Sequence, residues 1–460
     1  MSEYRNFIAS KRVAAQRYGF DPGPLNKNLF EWQAPIVRWA LQRGKAALFE
    51  DCGLGKTIQQ LEWSRHIWQH TKRPVLILAP ILVGWQTVEQ ATTFEIQAEC
   101  SQVRDQSEVI DGINVTNYER LHLFDASKFS GVVLDESSIL KSFMGKRKQA
   151  IIQQFAQTPY KLSCTATPSP NDLLELGNQA DFLDVMPSRE MIARWFCNDP
   201  MHAGNYRLKN HGAEDFWRWV STWAVSLSSP ADLGFDASSF KLPPLVIDER
   251  WTECGESWFG GRSTKASATA IHGEKRASLQ SRCEAVGDLV SEFSQDQFAV
   301  WCGTDYEADE LIRVLGNRAV EVRGKHSESV KEQRLKAFQH GLIQCIITKP
   351  KIGGFGLNWQ HANRTTWFPS YSFEELYQAL RRLYRFGQKH TVTCTMVASE
   401  NESGIVQTLK RKALQHDSMR DGIAQSMREF QIAEIVGNVG REIYNPNKKA
   451  SVPSWLKSKA

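Results

Sequence analysis

The chain has 460 residues, 42% hydrophobic and 23% charged, with a formal net charge of +5. That length suits two or three domains with cores of their own, and the charge balance permits a nucleic-acid partner without the pronounced basic footprint that would itself demand one. Nine cysteines with no C-x-x-C pair argue against a zinc site or a disulfide framework; Met1–Ala9 lacks the apolar stretch of a signal peptide, and no apolar run approaches the ~18 residues that span a bilayer. A soluble protein of a reducing cytoplasm, with no membrane partner, is expected.

In chain order, short apolar runs at Ala46–Phe49, Val75–Ala79, Ile113–Thr116, Val132–Leu134 and Leu162–Thr165 alternate with helical patterns. Continuous apolar strands between helices predict a buried parallel sheet. A second series follows at Phe298–Cys302, Val320–Val322, Cys345–Thr348, Thr366–Phe368 and Val392–Val397, with helices expected over Glu307–Leu315 and Ser329–Phe338. The fold class is therefore α/β with two parallel-sheet lobes, residues 1–185 and 286–437. Between them, residues 186–285 carry Trp195, Trp217, Trp219, Trp223, Trp251 and Trp258, then Pro243-Pro244 and a small-residue stretch. This segment is expected to be a helical insertion and linker, its indoles packing a core rather than stacking on bases. Residues 438–460 form a polar, basic tail.

The first strand runs into Glu50-Asp51-Cys52-Gly53-Leu54-Gly55-Lys56-Thr57, and a helical pattern follows. Strand, glycine loop, Lys-Thr and helix is the context of a phosphate-binding loop, whose N–H groups and helix N-terminus cradle phosphate. Lys56 would reach the β- and γ-phosphates of ATP, and Thr57 would bind Mg²⁺. The strict pattern asks for glycine where Glu50 stands. Val132-Val133-Leu134 ends in Asp135-Glu136. Acids at the end of a buried strand are costly without a task; Asp135 can hold Mg²⁺, and Glu136 can deprotonate an attacking water. Loop and acids meet at the carboxyl edge of one sheet, where open α/β folds bind ligands. Arg382 and Arg385, in Gln378-Ala379-Leu380-Arg381-Arg382-Leu383-Tyr384-Arg385-Phe386-Gly387-Gln388, are expected on one helical face as the opposing positive charge of the second lobe.

Taken in order, these motifs resemble those of superfamily-two DNA motors with two RecA-like lobes, and in particular the Swi/Snf-like branch in its short phage and bacterial form, more distantly the DEAD/DEAH-box helicases. Gln33, in Phe30-Glu31-Trp32-Gln33, matches the glutamine that reads adenine there, and Glu50–Thr57 is similar to that branch's own phosphate loop, which also lacks the first glycine. The resemblance places Gly53, Leu54, Gly55 and Gly356 at the nucleotide. It implies DNA-contacting or coupling roles for Pro80 and Trp85 (Ala79–Trp85), Thr116 and Asn117 (Val115–Glu119), Thr165 and Thr167 (Leu162–Pro168), and Lys349 and Asn358 (Thr348–Asn358). Two departures stand out: Ser138 replaces the histidine of Asp-Glu-Ala-His, and Arg381 replaces the aspartate before the first arginine.

The resemblance implies a DNA-dependent ATPase using ATP and Mg²⁺. Its partner would be duplex DNA, gripped through phosphates with little sequence preference, in a bacterial or phage-infected cytoplasm. A strand-separating helicase and a nucleic-acid-binding scaffold with a vestigial nucleotide site remain as alternatives, RNA remains open as substrate, and the pathway is not legible.

Overall fold

The structure, a computed structural model, describes residues 15–80, 83–141, 145–169, 172–198, 206–253, 275–353 and 358–436. The first eight strands in the chain are β1 (Lys45–Glu50), β2 (Val75–Ala79), β3 (Cys100–Gln102), β4 (Ile113–Asn117), β5 (Gly131–Asp135), β6 (Tyr160–Cys164), β7 (Phe196–Asn198) and β8 (Tyr206–Leu208). With β9 (Ala224–Leu227), all but the β7–β8 hairpin form a seven-stranded parallel sheet in the order β3-β4-β2-β5-β6-β1-β9. The six strands β10 (Leu245–Thr252), β11 (Phe298–Trp301), β12 (Ala319–Val322), β13 (Cys345–Thr348), β14 (Arg364–Trp367) and β15 (Val392–Ser399) form a second parallel sheet, β10-β15-β14-β11-β13-β12. The expectation of two α/β lobes with parallel sheets holds.

The central strands are buried throughout, β1, β2 and β4 along their whole length, as parallel strands covered by helices on both faces must be. Local signals start the helices. Thr304 and Glu307 form a reciprocal capping box before Asp305–Leu315, and the Ser372 hydroxyl accepts from the Glu375 N–H at the start of Phe373–Leu383.

The stretch 186–285 differs in part from the helical insertion expected of it. Helices do form at Ser188–Trp195 and Ala213–Ser221, but β9 joins β1 at the edge of the first sheet, and β10 joins β15 at the edge of the second. The chain therefore crosses between lobes after Leu227 and before Leu245. β9 is a four-residue run, too short to show a period. β10 contains Asp248, Glu249 and Arg250, a composition an edge strand tolerates and a central strand does not. Trp195, Trp217, Trp219 and Trp223 are buried in the first lobe's core, with Trp195 stacked on Trp219 at 4.7 Å. Trp251 is exposed. Trp258, the small-residue connector and the 438–460 tail lie outside the described residues.

The C-terminal helix, Ser403–Gln431, links the lobes mechanically. Its 29 residues span about 44 Å. Ile405, Val406 and Leu409 pack in the second lobe's core, Ile423 and Met427 in the first lobe's core, and Gln431 Oε1 accepts from the Ser226 N–H of β9 at 3.0 Å. Among the described residues no helix is long and apolar enough to cross a membrane.

Removing a fully buried indole should cost far more than removing the exposed one. Trp223→Ala, 0% exposed, is expected to lose about 3–5 kcal/mol in chemical denaturation, and Trp251→Ala about 0.5 kcal/mol or less. Equal losses would contradict the core assignment.

Candidate nucleotide site between the lobes

Because every strand of the first sheet runs the same way, Glu50, Asn117 and Asp135 all reach one edge, with β6 lying between β1 and β5. The loop after β1 turns through Gly53 (φ +90°) and Gly55 (φ +75°), left-handed conformations that glycine adopts without strain. A Cβ on Gly53 would lie 2.6 Å from the Phe386 backbone nitrogen of the second lobe, and one on Gly55 would lie 2.6 Å from Gln33 Nε2. The helix Lys56–Thr71 starts directly after Gly55. Glu50 is the last residue of β1, within the strand rather than the loop, so no glycine is needed there.

The loop faces a cavity of about 360 Å³, the size of a small-molecule site, lined by both lobes. Gln33, Gly53, Gly55, Lys56, Thr57, Asp135 and Glu136 come from one side, Arg382 and Arg385 from the other. Lys56 Nζ lies 2.6 Å from the Glu50 carbonyl and 3.1 Å from that of Asp51. Gln33 Nε2 donates to the Leu54 carbonyl at 2.8 Å, while Gln33 Oε1 accepts from the Phe30 N–H at 3.0 Å. Leu54 itself packs in the first lobe's core, so its contribution at the loop is its backbone carbonyl. Gly356 lies outside the described residues.

The two acids are held differently. Asp135 Oδ1 accepts from Gln60 Nε2 at 2.8 Å; burial raises its pKa, opposed by that hydrogen bond, with Glu136 raising it further. Glu136 stands in the left-handed region at φ +61°, a conformation that costs a non-glycine residue roughly 1–3 kcal/mol and gathers at functional sites. Its Oε1 accepts from Thr165 Oγ1 at 2.7 Å and from Ser138 Oγ at 3.0 Å. Ser138, the departure from histidine, therefore still bonds the acid, and the Thr167 N–H donates to Thr165 Oγ1 at 3.0 Å, extending the chain. With the Thr57 hydroxyl and the Asp135 carboxylate on one cavity wall, the oxygen donors fit a hard cation such as Mg²⁺.

Arg382 and Arg385 do not share a helical face. The helix ends at Leu383, and Arg385 follows in a turn closed by the Gln388 N–H on the Arg385 carbonyl and by Gly387 at φ +91°. The turn brings Arg385 to the same wall as Arg382. Desolvation, then the neighbouring Arg382 charge, lowers the Arg385 pKa to about 10, so the group stays cationic at neutral pH.

The residues expected on DNA have these surroundings. Pro80 and Asn358 line the interlobe cavity, and Asn358 Oδ1 is buried with no hydrogen-bond partner among the described residues. Trp85 packs against the second lobe's core, with Lys336 over its ring at 4.4 Å. Thr116 is buried, and Asn117 caps the following turn through the Arg120 N–H. Lys349 pairs with Asp305 at 3.0 Å, outside the cavity. Motif order locates a loop but not the direction of its side chains. Asp51, Gln60 and Tyr377 were not singled out from sequence at all; an unexplained acid inside the phosphate loop was the available signal.

Two parallel-sheet lobes of the RecA-like kind thus enclose one cleft lined from both sides. Residues 32–205 match the SNF2-related domain. Protein p41 of Acyrthosiphon pisum secondary endosymbiont phage 1 is 27% identical over 410 residues, covering 76% of this chain and 87% of that one. The SWI/SNF-related matrix-associated actin-dependent regulator of chromatin subfamily A-like protein 1 of Xenopus tropicalis is 30% identical over 168 residues, 34% of this chain and 17% of that one. The solved Sulfolobus solfataricus SWI2/SNF2 ATPase core in complex with dsDNA aligns over 92% of this chain and 99% of that one, at 18% identity and a TM-score of 0.41. The chain spans 6% to 17% of the length of the long eukaryotic relatives it matches. The chain is thus similar to SWI/SNF-related proteins, with the SNF2-related domain match covering residues 32–205.

Glu50 gives the site a pH-dependent stability. It is 0% exposed, and burial, opposed by Lys56 and by the Gln59 hydrogen bond, lifts its pKa from 4.5 to about 7. Between those values the folded state holds the proton and the unfolded state does not, so stability falls as pH rises through the window, by on the order of 3 kcal/mol. Glu50→Gln cannot ionise and should gain stability relative to the parent between pH 5 and pH 8 in thermal unfolding; a pH-independent difference would contradict the assignment.

Proposed function

We propose that the protein is an ATP-dependent motor that hydrolyses ATP and moves along duplex DNA without separating its strands. The observation that carries this reading is the single cavity lined by Lys56, Thr57, Asp135 and Glu136 from one lobe and by Arg382 and Arg385 from the other. An ATP there would be gripped from both sides, so hydrolysis and lobe movement become one event.

In this reading Gln33 stands at the base end and Gly53–Thr57 at the phosphates. Glu136, aimed by Thr165 and Ser138, takes a proton from the attacking water. Thr57 and Asp135 would hold Mg²⁺, which would supply positive charge beside the phosphates. Arg382 and Arg385 face the charge that shifts onto the γ-phosphate. The path from Glu136 through Thr165 to Thr167 offers a route by which hydrolysis reaches a neighbouring segment. Support for DNA as the track comes from the SNF2-related domain match; phosphate contacts would make binding salt-dependent and nearly indifferent to sequence. A vestigial-site scaffold fits poorly with a retained lysine, two acids and two arginines in one cavity.

Lys56→Ala and Glu136→Gln are each expected to abolish DNA-stimulated ATP hydrolysis with unfolding temperatures near the parent's. Arg385→Ala is expected to lower kcat by on the order of 10³-fold. Triplex displacement on blunt duplex, without strand displacement on forked DNA, would support translocation; near-normal turnover in Lys56→Ala would refute the site.

A further inference from the structure

The phosphate loop meets the arginine helix through a residue that phosphate binding does not require. Asp51, two residues before Gly53, has a side chain 9% exposed. Its Oδ2 accepts from Arg381 Nη2 at 2.6 Å. Its Oδ1 accepts from Tyr377 Oη at 2.7 Å and from the Cys52 N–H at 2.7 Å. Arg381, 11% exposed, lies 5.1 Å from the Tyr377 ring and 5.5 Å from the Tyr384 ring.

We propose that Asp51, Tyr377 and Arg381 are an interlobe positioning latch: the phosphate loop's own carboxylate sets the register of the arginine helix, so that Arg382 and Arg385 meet the phosphates held by Lys56. The latch rests on the reading of the cleft as an ATP site. Three features select this contact. Its position is strategic: the Asp51 carbonyl accepts from Lys56 Nζ, and Arg381 immediately precedes Arg382, so the pair joins the cationic groups of both lobes through two short segments. Its burial is unusual. Two other interlobe ion pairs among the described residues, Arg120–Glu328 and Lys141–Glu374, have side chains 26% and 52%, and 40% and 19%, exposed, where solvent screens them. Its geometry is close-fitting, since Gly53 packs against the Phe386 backbone beside it.

Burial also makes the contact two-state. With the cleft closed, each charge is answered by the other; with it open, each recovers water. An intermediate separation leaves both desolvated and unpaired, the costly arrangement. A carboxylate at position 381 would set a second negative charge against Asp51, so the arginine is matched to this chain's loop. Burial alone would depress the Arg381 pKa, but Asp51 and Tyr377 more than offset it and hold it above its ordinary value.

The test uses the full chain. Steady-state ATP hydrolysis with duplex DNA is measured for Arg381→Met, Arg381→Lys, Asp51→Asn and the double variant Asp51→Asn/Arg381→Met. Single variants are expected to lose on the order of 10²-fold in kcat, the scale of an ångström-level misplacement, with KM for ATP within a few-fold. Arg381→Lys should recover much of the loss, and the double variant should be no worse than the worse single. Parent-like kcat in Arg381→Met, or losses that multiply in the double variant, would overturn the latch. A second readout needs no turnover. Cys52, on the cavity wall, should be alkylated by iodoacetamide several-fold faster in Arg381→Glu, mapped by mass spectrometry against Cys197. An unchanged Cys52 rate overturns the latch even if the parent proves inactive, while an inactive parent with a faster Cys52 refutes only the ATPase reading.

Discussion

Charge taken out of water organises this cleft. Each ionised group at the facing edges of the two sheets must be answered by an opposite charge or an oriented dipole, or its burial would unfold the region. Lys56 is answered by two loop carbonyls, Asp135 by Gln60, Glu136 by two hydroxyls, and Asp51 by Arg381 and Tyr377. Arg385 is the telling case. Desolvated and beside Arg382, its pKa is lowered, which makes that wall favourable for an incoming anion.

Such an arrangement needs rigid carriers, and the packing supplies them. Parallel strands put every loop that matters on one edge of each sheet, and the aromatic cluster of Trp195, Phe216, Trp219 and Trp223 anchors the first lobe behind it. The long C-terminal helix then ties a second-lobe origin to a first-lobe end. The lobes are thus joined twice, by the crossover after β9 and by this helix, and the cleft lies between those joints. A structure tied this way can rock about the cleft without the lobes parting.

The fold also fixes what surrounds several residues of the motifs. Pro80 and Asn358 belong to the cavity wall rather than to an open surface, and Trp85 serves the contact between lobes. Arg385 reaches the cavity through a turn that breaks the helix, not along its face. In each case the residue sits in the expected segment while its side chain answers to a neighbour far away in the chain.

The sequence by itself determined the two α/β lobes, the phosphate loop, the paired acids and the arginine segment, because apolar period, glycine position and acids ending a buried strand are local properties. It left β9 and β10 inside an apparent insertion: a four-residue run carries no period, and a charged edge strand reads as loop. Only the tertiary structure decided that Arg381 faces Asp51, some 330 residues apart, that Ser138 bonds Glu136, and that Glu50 is a buried strand residue with a raised pKa rather than a defective loop position. Partnership and desolvation are set by what folds against a residue, and no local pattern encodes them.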